Sequence, residues 1–166
     1  MSRLDSFIRR LEAQRACLGL AAQLVGDLDG ALLELGLGNG RTYDHLRELF
    51  PGRDIFVCER CVAAHPDCIP PDQFLILGDM RETLPAARND LAGRIVLAHL
   101  DPATGDVEGS RTLVHDLAPL IAPLLRQGGV LVSEPAIDLP GLAVLALPPG
   151  VAPGRYHMYR RVSCRS

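Results

Sequence analysis

The sequence predicts an α/β fold: a three-layer sandwich in which helices cover both faces of a mostly parallel, seven-stranded sheet. Short apolar runs alternate with helix-like segments between residues 31 and 133, a pattern typical of parallel strands joined by crossover helices. The last two apolar runs lack a spacer of helix length, so we expect an antiparallel C-terminal hairpin. With 166 residues, of which 48% are hydrophobic, the chain is long enough for one domain with a substantial core.

An extra helix precedes this core. Residues 3–26 have helical periodicity. The predicted apolar face consists of Leu4, Phe7, Ile8 and Leu11, followed by Leu18, Ala22 and Val25. Glycine and aspartate at 26–30 then end the helix and turn the chain. We therefore expect a single domain over residues 1–166, with the N-terminal helix within 1–27 and the α/β core within 30–162.

The remaining elements follow from local composition. Five short apolar runs predict strands at 31–35, 54–58, 74–77, 94–99 and 130–133. Between them, helices are predicted at 41–50, 81–91 and 110–125, and Gly128 and Gly129 are expected to lead into the fifth strand. Strands at 142–147 and 156–162, joined by a turn rich in proline and glycine, complete the predicted hairpin.

A glycine-rich turn follows the first strand and opens the next helix. Gly36, Gly38 and Gly40 alternate in it, and glycine lets a backbone turn sharply and approach a ligand closely. The helix N-terminus behind such a turn favours a carboxylate or phosphate. The pattern differs from the dinucleotide fingerprint, because Arg41 occupies the position of the last glycine.

Acidic residues follow each of the next four strands. Glu59 stands about twenty residues beyond the glycine turn, the offset at which a carboxylate meets ribose hydroxyls. Asp79 and Met80 follow the third strand and suit an adenine amino group and ring, although a helix cap and a core methionine explain them equally well. Asp101 and Glu134 follow the fourth and fifth strands. Ligands bind at the carboxyl ends of such sheets, where all these residues are predicted to meet.

With this series, the sequence resembles the class I S-adenosylmethionine-dependent methyltransferases over roughly residues 30–162. The resemblance implies a Rossmann-like fold, the cofactor S-adenosylmethionine, and a match for the family's fourth motif at His99-Leu100-Asp101-Pro102. The segment 99–106 is most similar to a small group of uncharacterised bacterial methyltransferases. The implied cofactor-binding residues are Glu34, Gly36, Leu37, Gly38, Asn39, Gly40, Thr42, Tyr43, Glu59, Arg60, Gly78, Asp79, Met80, Leu100 and Asp101.

The implied activity is methyl transfer to an acceptor, and we expect a small molecule. Where the acceptor must lose a proton, Asp101 and His99 are the predicted bases, with Asp106 behind them. Two alternatives stay open: a nucleotide- or NAD(P)-binding Rossmann protein, and a non-catalytic module that binds S-adenosylmethionine. The Asn-Pro-Pro-Tyr signature of amino-directed nucleic-acid methyltransferases is absent, so no nucleic-acid acceptor is expected.

Charge, aromatic content and cysteine number limit the binding partners and the cellular compartment that we expect. The net charge of -3 and the 4% aromatic content argue against nucleic-acid or membrane binding. We find no apolar run of membrane-spanning length and no signal peptide, and the odd number of 5 cysteines indicates reduced thiols in the cytoplasm. Cys58, Cys61, His65 and Cys68 could bind zinc, but Cys58 lies in a predicted buried strand and no metal is expected. A homodimer is one way to bury the apolar hairpin.

Overall fold

The computed structural model describes residues 2–101 and 107–163. It contains four helices in this part of the chain: α1 (Arg3–Val25), α2 (Arg41–Leu49), α3 (Met80–Leu91) and α4 (Val107–Ile121). The strands are β1 (Ala31–Leu35), β2 (Ile55–Glu59), β3 (Leu75–Leu77), β4 (Ile95–Leu100), β5 (Leu125–Ser133), β6 (Leu142–Val144) and β7 (His157–Arg161). Short 3-10 turns at Pro66–Cys68 and Asp72–Phe74 lie between β2 and β3. Pro102 and Asp106, which belong to the predicted fourth motif and its surroundings, lie outside the described residues.

The strands form one seven-stranded sheet of order β3-β2-β1-β4-β5-β7-β6. The first five strands are parallel, and β7 pairs antiparallel with both β5 and β6. This confirms the predicted mostly parallel sheet with its antiparallel C-terminal hairpin. Chain order reverses at the pair β1–β4, so the turns that follow β1 and β4 flank the crevice where ligands bind in open α/β sheets.

Two apolar cores sandwich the sheet, because successive side chains of a strand point to opposite faces. Leu32 joins the core under α1 and α2, whereas its neighbour Leu33 joins the core under α3 and α4. All residues of β1 and β4 are buried, which explains why their sequences are nearly continuous apolar runs. Glu34 and His99 interrupt those two runs on the α1 side.

Two predicted details differ in the structure. The strand β5 begins at Leu125 and contains Gly128 and Gly129, which we expected to precede it, and α4 ends at Ile121. A side chain on Gly129 would lie 3.0 Å from the carbonyl oxygen of Ile95, and the pairing of β4 with β5 shifts register there. Gly129 therefore permits a close approach of two strands at this irregularity, which is a common role of glycine within a strand.

The buried face of α1 also differs from the predicted one. Leu4, Phe7 and Ile8 are 66%, 44% and 45% exposed, whereas the buried residues begin at Ala13 and include Cys17 and Leu18. Leu18, Ala22 and Val25 of the predicted stripe do pack in the core under α1 and α2. Helical spacing therefore predicted the contact surface of the second half of α1 correctly and that of the first half wrongly. In residues 2–101 and 107–163, no helix is both long and apolar enough to cross a bilayer.

Candidate active site

The glycine turn between β1 and α2 is open on one side and closely packed on the other. Gly36, Gly38 and Gly40 all have positive φ angles, of 99°, 52° and 87°. A Cβ atom on Gly38 would meet nothing within 4 Å, whereas one on Gly40 would lie 2.3 Å from Cβ of Cys68. Gly40, the N-cap of α2, has no side chain to cap the helix, and the N–H of Arg41 makes only a long hydrogen bond of 3.4 Å to Oδ1 of Asn39. The N-terminus of α2 therefore suits a negatively charged group.

Glu59, the last residue of β2, holds this turn in place. Its Oε2 accepts hydrogen bonds from the backbone N–H groups of Leu37 and Gly38, at 2.7 and 3.1 Å. Its Oε1 accepts from the N–H groups of Arg60 and Cys61, at 2.6 and 3.1 Å. Although partial burial raises the pKa of Glu59, these four donors lower it overall. The side chain predicted to bind ribose therefore also fixes the conformation of the glycine turn.

The predicted adenine residues lie at the start of α3. Asp79 is the N-cap of α3 and accepts a hydrogen bond from the N–H of Arg81 at 2.9 Å, while its side chain remains 37% exposed. Met80 packs partly buried against the core under α3 and α4. Gly78 donates its N–H to the carbonyl oxygen of Glu59 at 3.0 Å, which brings this turn next to the end of β2. Asp79 thus has the capping role considered from the sequence, and its carboxylate remains partly exposed.

The carboxylate of Asp101 collects three hydrogen bonds at the end of β4. Its Oδ2 accepts from Nη1 of Arg10 at 2.6 Å, from the amide of Gln14 at 2.7 Å and from the hydroxyl of Tyr156 at 2.9 Å. Its Oδ1 is buried and has no hydrogen-bond partner among residues 2–101 and 107–163. A buried carboxylate oxygen normally has a partner, so Oδ1 is an acceptor that the described residues leave unsatisfied.

A buried acid–imidazole pair lies behind Asp101. Nδ1 of His99 is 2.9 Å from Oε2 of Glu34, and the side chains are 0% and 2% exposed. Burial raises the pKa of Glu34, and the raised pKa of His99 follows from the neighbouring Glu34 and Asp101 carboxylates, which outweigh the opposite effect of burial. Nε2 of His99 faces Gln14 at 3.4 Å and Tyr156 at 3.3 Å. His99 is therefore fully enclosed, while Asp101 lies nearer to the surface.

A second acid, Glu134, follows β5 beside Asp101. Half-burial is the main cause of its raised pKa, and the charge of Asp101 adds to it, whereas Arg10 and Arg155 act in the opposite direction. Its backbone N–H donates to the carbonyl oxygen of Leu100 at 3.2 Å. The two acids at the ends of β4 and β5 therefore lie near two arginines, Arg10 of α1 and Arg155 before β7, in a partly buried setting.

The sequence interpretation missed Arg10, Gln14 and Tyr156. Arg10 and Gln14 are four residues apart in α1 and so lie on one helix face. Gln14 is a polar residue within a helix that has an apolar face, which is a local signal of a special role. Nothing in the sequence indicated that this part of α1 meets Asp101. Tyr156 immediately precedes β7, and only the antiparallel pairing of β7 with β5 brings it to the site.

Tyr43 and the cysteines contribute little to this cleft. The buried ring of Tyr43 lies under Arg47 and lines a cavity of about 230 Å³ with Phe50 and Phe74, and no glycine or acid of the candidate site lines it. Cys58 is buried in β2, whereas Cys61 is exposed. Within the described ranges, no group of three or more His, Cys, Asp or Glu side chains could hold a metal ion.

The sheet order, the glycine turn and the acids at the strand ends define a Rossmann-like α/β protein with a nucleoside-binding crevice. The chain belongs to the S-adenosyl-L-methionine methyltransferase family, whose model matches residues 1–161. Its cofactor is therefore S-adenosylmethionine, and its activity is methyl transfer.

Similar structures agree with this assignment. An S-adenosyl-L-methionine methyl transferase from Silicibacter pomeroyi is 48% identical, with a TM-score of 0.92 over 97% of this chain and 99% of that chain. Human methyltransferase-like protein 13, solved in complex with SAH, is 16% identical, with a TM-score of 0.55 over 91% of this chain and 81% of that one. The latter shows a shared fold. No protein in the curated set matches the chain.

The crevice fits this cofactor on its own geometry. The open face at Gly38 leaves room for close backbone contact, and the uncapped start of α2 suits the carboxylate of an amino acid. The partly exposed carboxylate of Asp79 suits an amino donor of a nucleoside. The oxygens of Glu59 already accept four backbone hydrogen bonds, so a ribose hydroxyl would bind there by replacing one of them. The unpartnered Oδ1 of Asp101 supplies a further acceptor at the end of β4.

Proposed function

We propose that this protein transfers the methyl group of S-adenosylmethionine to a small-molecule acceptor that reaches the cofactor beside α1. In this proposal, the turn containing Gly36, Gly38 and Gly40 binds the amino-acid part of the cofactor. Glu59 binds the ribose, and the segment Gly78-Asp79-Met80 binds the adenine. Asp101 contributes to both binding sites: its negative charge attracts the sulfonium end of the cofactor, and its Oδ1 contacts the acceptor.

The unpartnered Oδ1 of Asp101 is the observation that carries the acceptor side of this proposal. The side chain is 10% exposed, and Oδ1 is buried without a partner in the described part of the chain. Leaving such an acceptor unsatisfied costs about 1–3 kcal/mol, so a ligand that donates a hydrogen bond to it gains affinity. An acceptor with an O–H or N–H group has the complementary chemistry.

S-adenosylmethionine supplies an electrophilic methyl group on a sulfonium; as the bond to the acceptor forms, the C–S electron pair returns to sulfur. The protein's main contribution is to align the acceptor and exclude water. Where the acceptor loses a proton, Oδ1 of Asp101 receives it, because Oδ2 is already bonded to Arg10, Gln14 and Tyr156. His99 is enclosed behind Asp101, so we assign it a supporting role rather than direct contact with the acceptor.

Composition and surface exposure support three further parts of the proposal: the acceptor class, the compartment and the oligomeric state. The net charge of -3 favours a small acceptor over a nucleic acid. Free thiols at Cys17, Cys58, Cys61 and Cys68 suit a reducing compartment such as a bacterial cytoplasm. Val144 in β6 is 79% exposed, so a homodimer that covers this edge is the oligomer we propose. Light scattering of the purified protein tests the dimer.

Calorimetric titration with S-adenosylmethionine tests the function. We expect Asp101→Asn to weaken binding about tenfold. Asp27→Asn, at an exposed position before β1 and so at the opposite end of the sheet from the glycine turn, should leave binding unchanged. Transfer of a labelled methyl group into a small-molecule fraction, rather than into nucleic acid or protein, identifies the acceptor class. Absence of binding by the wild type, or a larger thermal shift with NAD(P), contradicts the proposal, and binding without transfer favours a non-catalytic module.

A further inference from the structure

Tyr156 lies between the buried acid–imidazole pair and Asp101. It is completely buried, and its hydroxyl oxygen is 3.3 Å from Nε2 of His99 and 2.9 Å from Oδ2 of Asp101. Its ring is parallel to that of His99, with an interplanar angle of 2° and centroids 6.2 Å apart. One hydroxyl group therefore contacts two polar side chains of β4 and its C-terminal end.

The direction of the hydrogen bonds follows from donor capacity. Tyrosine has one hydroxyl hydrogen, which bonds to the carboxylate of Asp101, so the bond with His99 requires a hydrogen on Nε2. If Glu34 and His99 hold one titrating proton between them, it lies either on Nδ1 or on Oε2. Nε2 carries a hydrogen in both arrangements. Donors then run in one direction, from His99 to Tyr156 and from Tyr156 to Asp101.

The two carboxylates beside His99 favour this arrangement. Glu34 of β1 and Asp101 after β4 raise the pKa of His99, while burial and Arg10 of α1 lower it, and the net shift is upward. Gln14 of α1 is the competing bridge, because its amide nitrogen lies 2.7 Å from Oδ2 of Asp101 and 3.4 Å from Nε2 of His99. The amide N–H of Gln14 can donate only to an Nε2 without a hydrogen, whereas the oxygen of Tyr156 can accept only from an Nε2 that carries one.

We propose that Tyr156 is a positioning residue that ties Asp101 to the buried Glu34–His99 pair, so that Oδ2 stays occupied and Oδ1 is presented to the ligand. This inference rests on the proposed function, in which Asp101 contacts the bound ligand. The enclosure of Tyr156 means that it acts through Asp101.

Tyr159 offers a matched control. It is also a buried tyrosine next to β5, and its hydroxyl accepts one hydrogen bond, from the N–H of Ile137 at 2.7 Å. We expect Tyr156→Phe to weaken the binding of S-adenosylmethionine about fivefold in calorimetry, and Tyr159→Phe to change it less than twofold. In an Asp101→Asn background, Tyr156→Phe should cause no further loss, because its effect passes through Asp101. An unchanged affinity in Tyr156→Phe, or a loss that persists in that background, overturns the proposal.

Nitrogen NMR of the His99 ring tests the same proposal without any ligand. Wild type and Tyr159→Phe should show a hydrogen on Nε2 at pH 7, and Tyr156→Phe should lose it or shift the signal toward the unprotonated form. An unprotonated Nε2 in the wild type overturns the proposal even if the variant does not fold. If the wild type binds no S-adenosylmethionine, the proposed function fails, while the state of Nε2 still decides the role of Tyr156.

Discussion

Oε2 of Glu34 lies 2.9 Å from Nδ1 of His99 across the neighbouring strands β1 and β4, and both side chains are buried. These strands flank the point where chain order reverses. The pair is enclosed on the α1 side of the sheet, and Gln14 and Tyr156 connect it to Asp101. A polar network thus joins the interior of the sheet to the edge where the cofactor is proposed to bind.

Removal of the imidazole should be strongly destabilising. We expect His99→Ala to lower the free energy of unfolding by about 3–5 kcal/mol, because Glu34 is left buried without its partner. The control is His115→Ala, whose side chain is 90% exposed and which should change stability by less than about 0.5 kcal/mol. Urea denaturation measures both, and equal effects would refute the importance of the buried pair.

The same pair should make stability depend on pH. The folded-state pKa values of His99 and Glu34 are both raised, so the folded protein binds their protons more tightly than the unfolded chain. Their contribution is present below the unfolded pKa values and is lost as pH rises through the folded ones. We expect the urea midpoint to fall as pH rises above the ordinary glutamate and histidine pKa values of about 4.3 and 6.5, and to fall more steeply in wild type than in Glu34→Gln/His99→Gln. Parallel curves would contradict this.

Glu59 should show the opposite dependence. Its folded-state pKa is lowered, so its contribution is present above the unfolded pKa and is lost as pH falls through the folded value. Glu59→Gln should cost about 1 kcal/mol at pH 7, a modest loss because the side chain is only partly buried. The loss should be smaller at about pH 3, because part of the wild-type protein then carries a proton on Glu59. Urea titrations of wild type and variant at several pH values provide the measurement. The variant should also weaken the binding of S-adenosylmethionine, and a pH-independent difference in stability would argue against the bonds to the glycine turn.

Alanine substitutions at two glycines can distinguish the cost of backbone strain from the cost of a steric clash. Gly40 and Gly52 have similar positive φ angles of 87° and 79°. A Cβ on Gly52 meets nothing within 4 Å, whereas one on Gly40 would lie 2.3 Å from Cβ of Cys68. Gly52→Ala should therefore cost about 1–2 kcal/mol from strain alone, and Gly40→Ala about 1–3 kcal/mol more. Equal losses in urea denaturation would show that the segment around Cys68 yields freely.

The contact between Arg10 and Asp101 should hold the first half of α1 at the site. Arg10→Ala removes a hydrogen bond of 2.6 Å between side chains that are 22% and 10% exposed, and should cost about 1–2 kcal/mol. Hydrogen exchange in residues 3–12 should accelerate in this variant and remain unchanged in Arg15→Ala, a substitution at an exposed position of the same helix. Unchanged exchange in Arg10→Ala would mean that the helix is held by its apolar contacts alone.

Most of the sheet and much of the site could be predicted from local patterns. Apolar runs such as 31–35 predicted β1, and the glycines at 36, 38 and 40 predicted the turn, because few other residues adopt its positive φ angles. The positions of Glu59, Asp79 and Asp101 at strand ends followed from the alternation of strands and helices. Strand boundaries were less predictable: Gly128 and Gly129 indicated a loop, but close strand packing incorporates them into β5.

The sequence by itself determined the alternation of strands and helices, the glycine turn and the acids that follow the strands, because these depend on neighbouring residues and on backbone sterics. The tertiary structure alone decided that Gln14, Tyr156 and Arg10 converge on Asp101, since they come from a helix and a strand far apart along the chain. It also decided that Leu4, Phe7 and Ile8 stay exposed. Helical spacing groups residues on a face, but only packing against the sheet determines which face is buried.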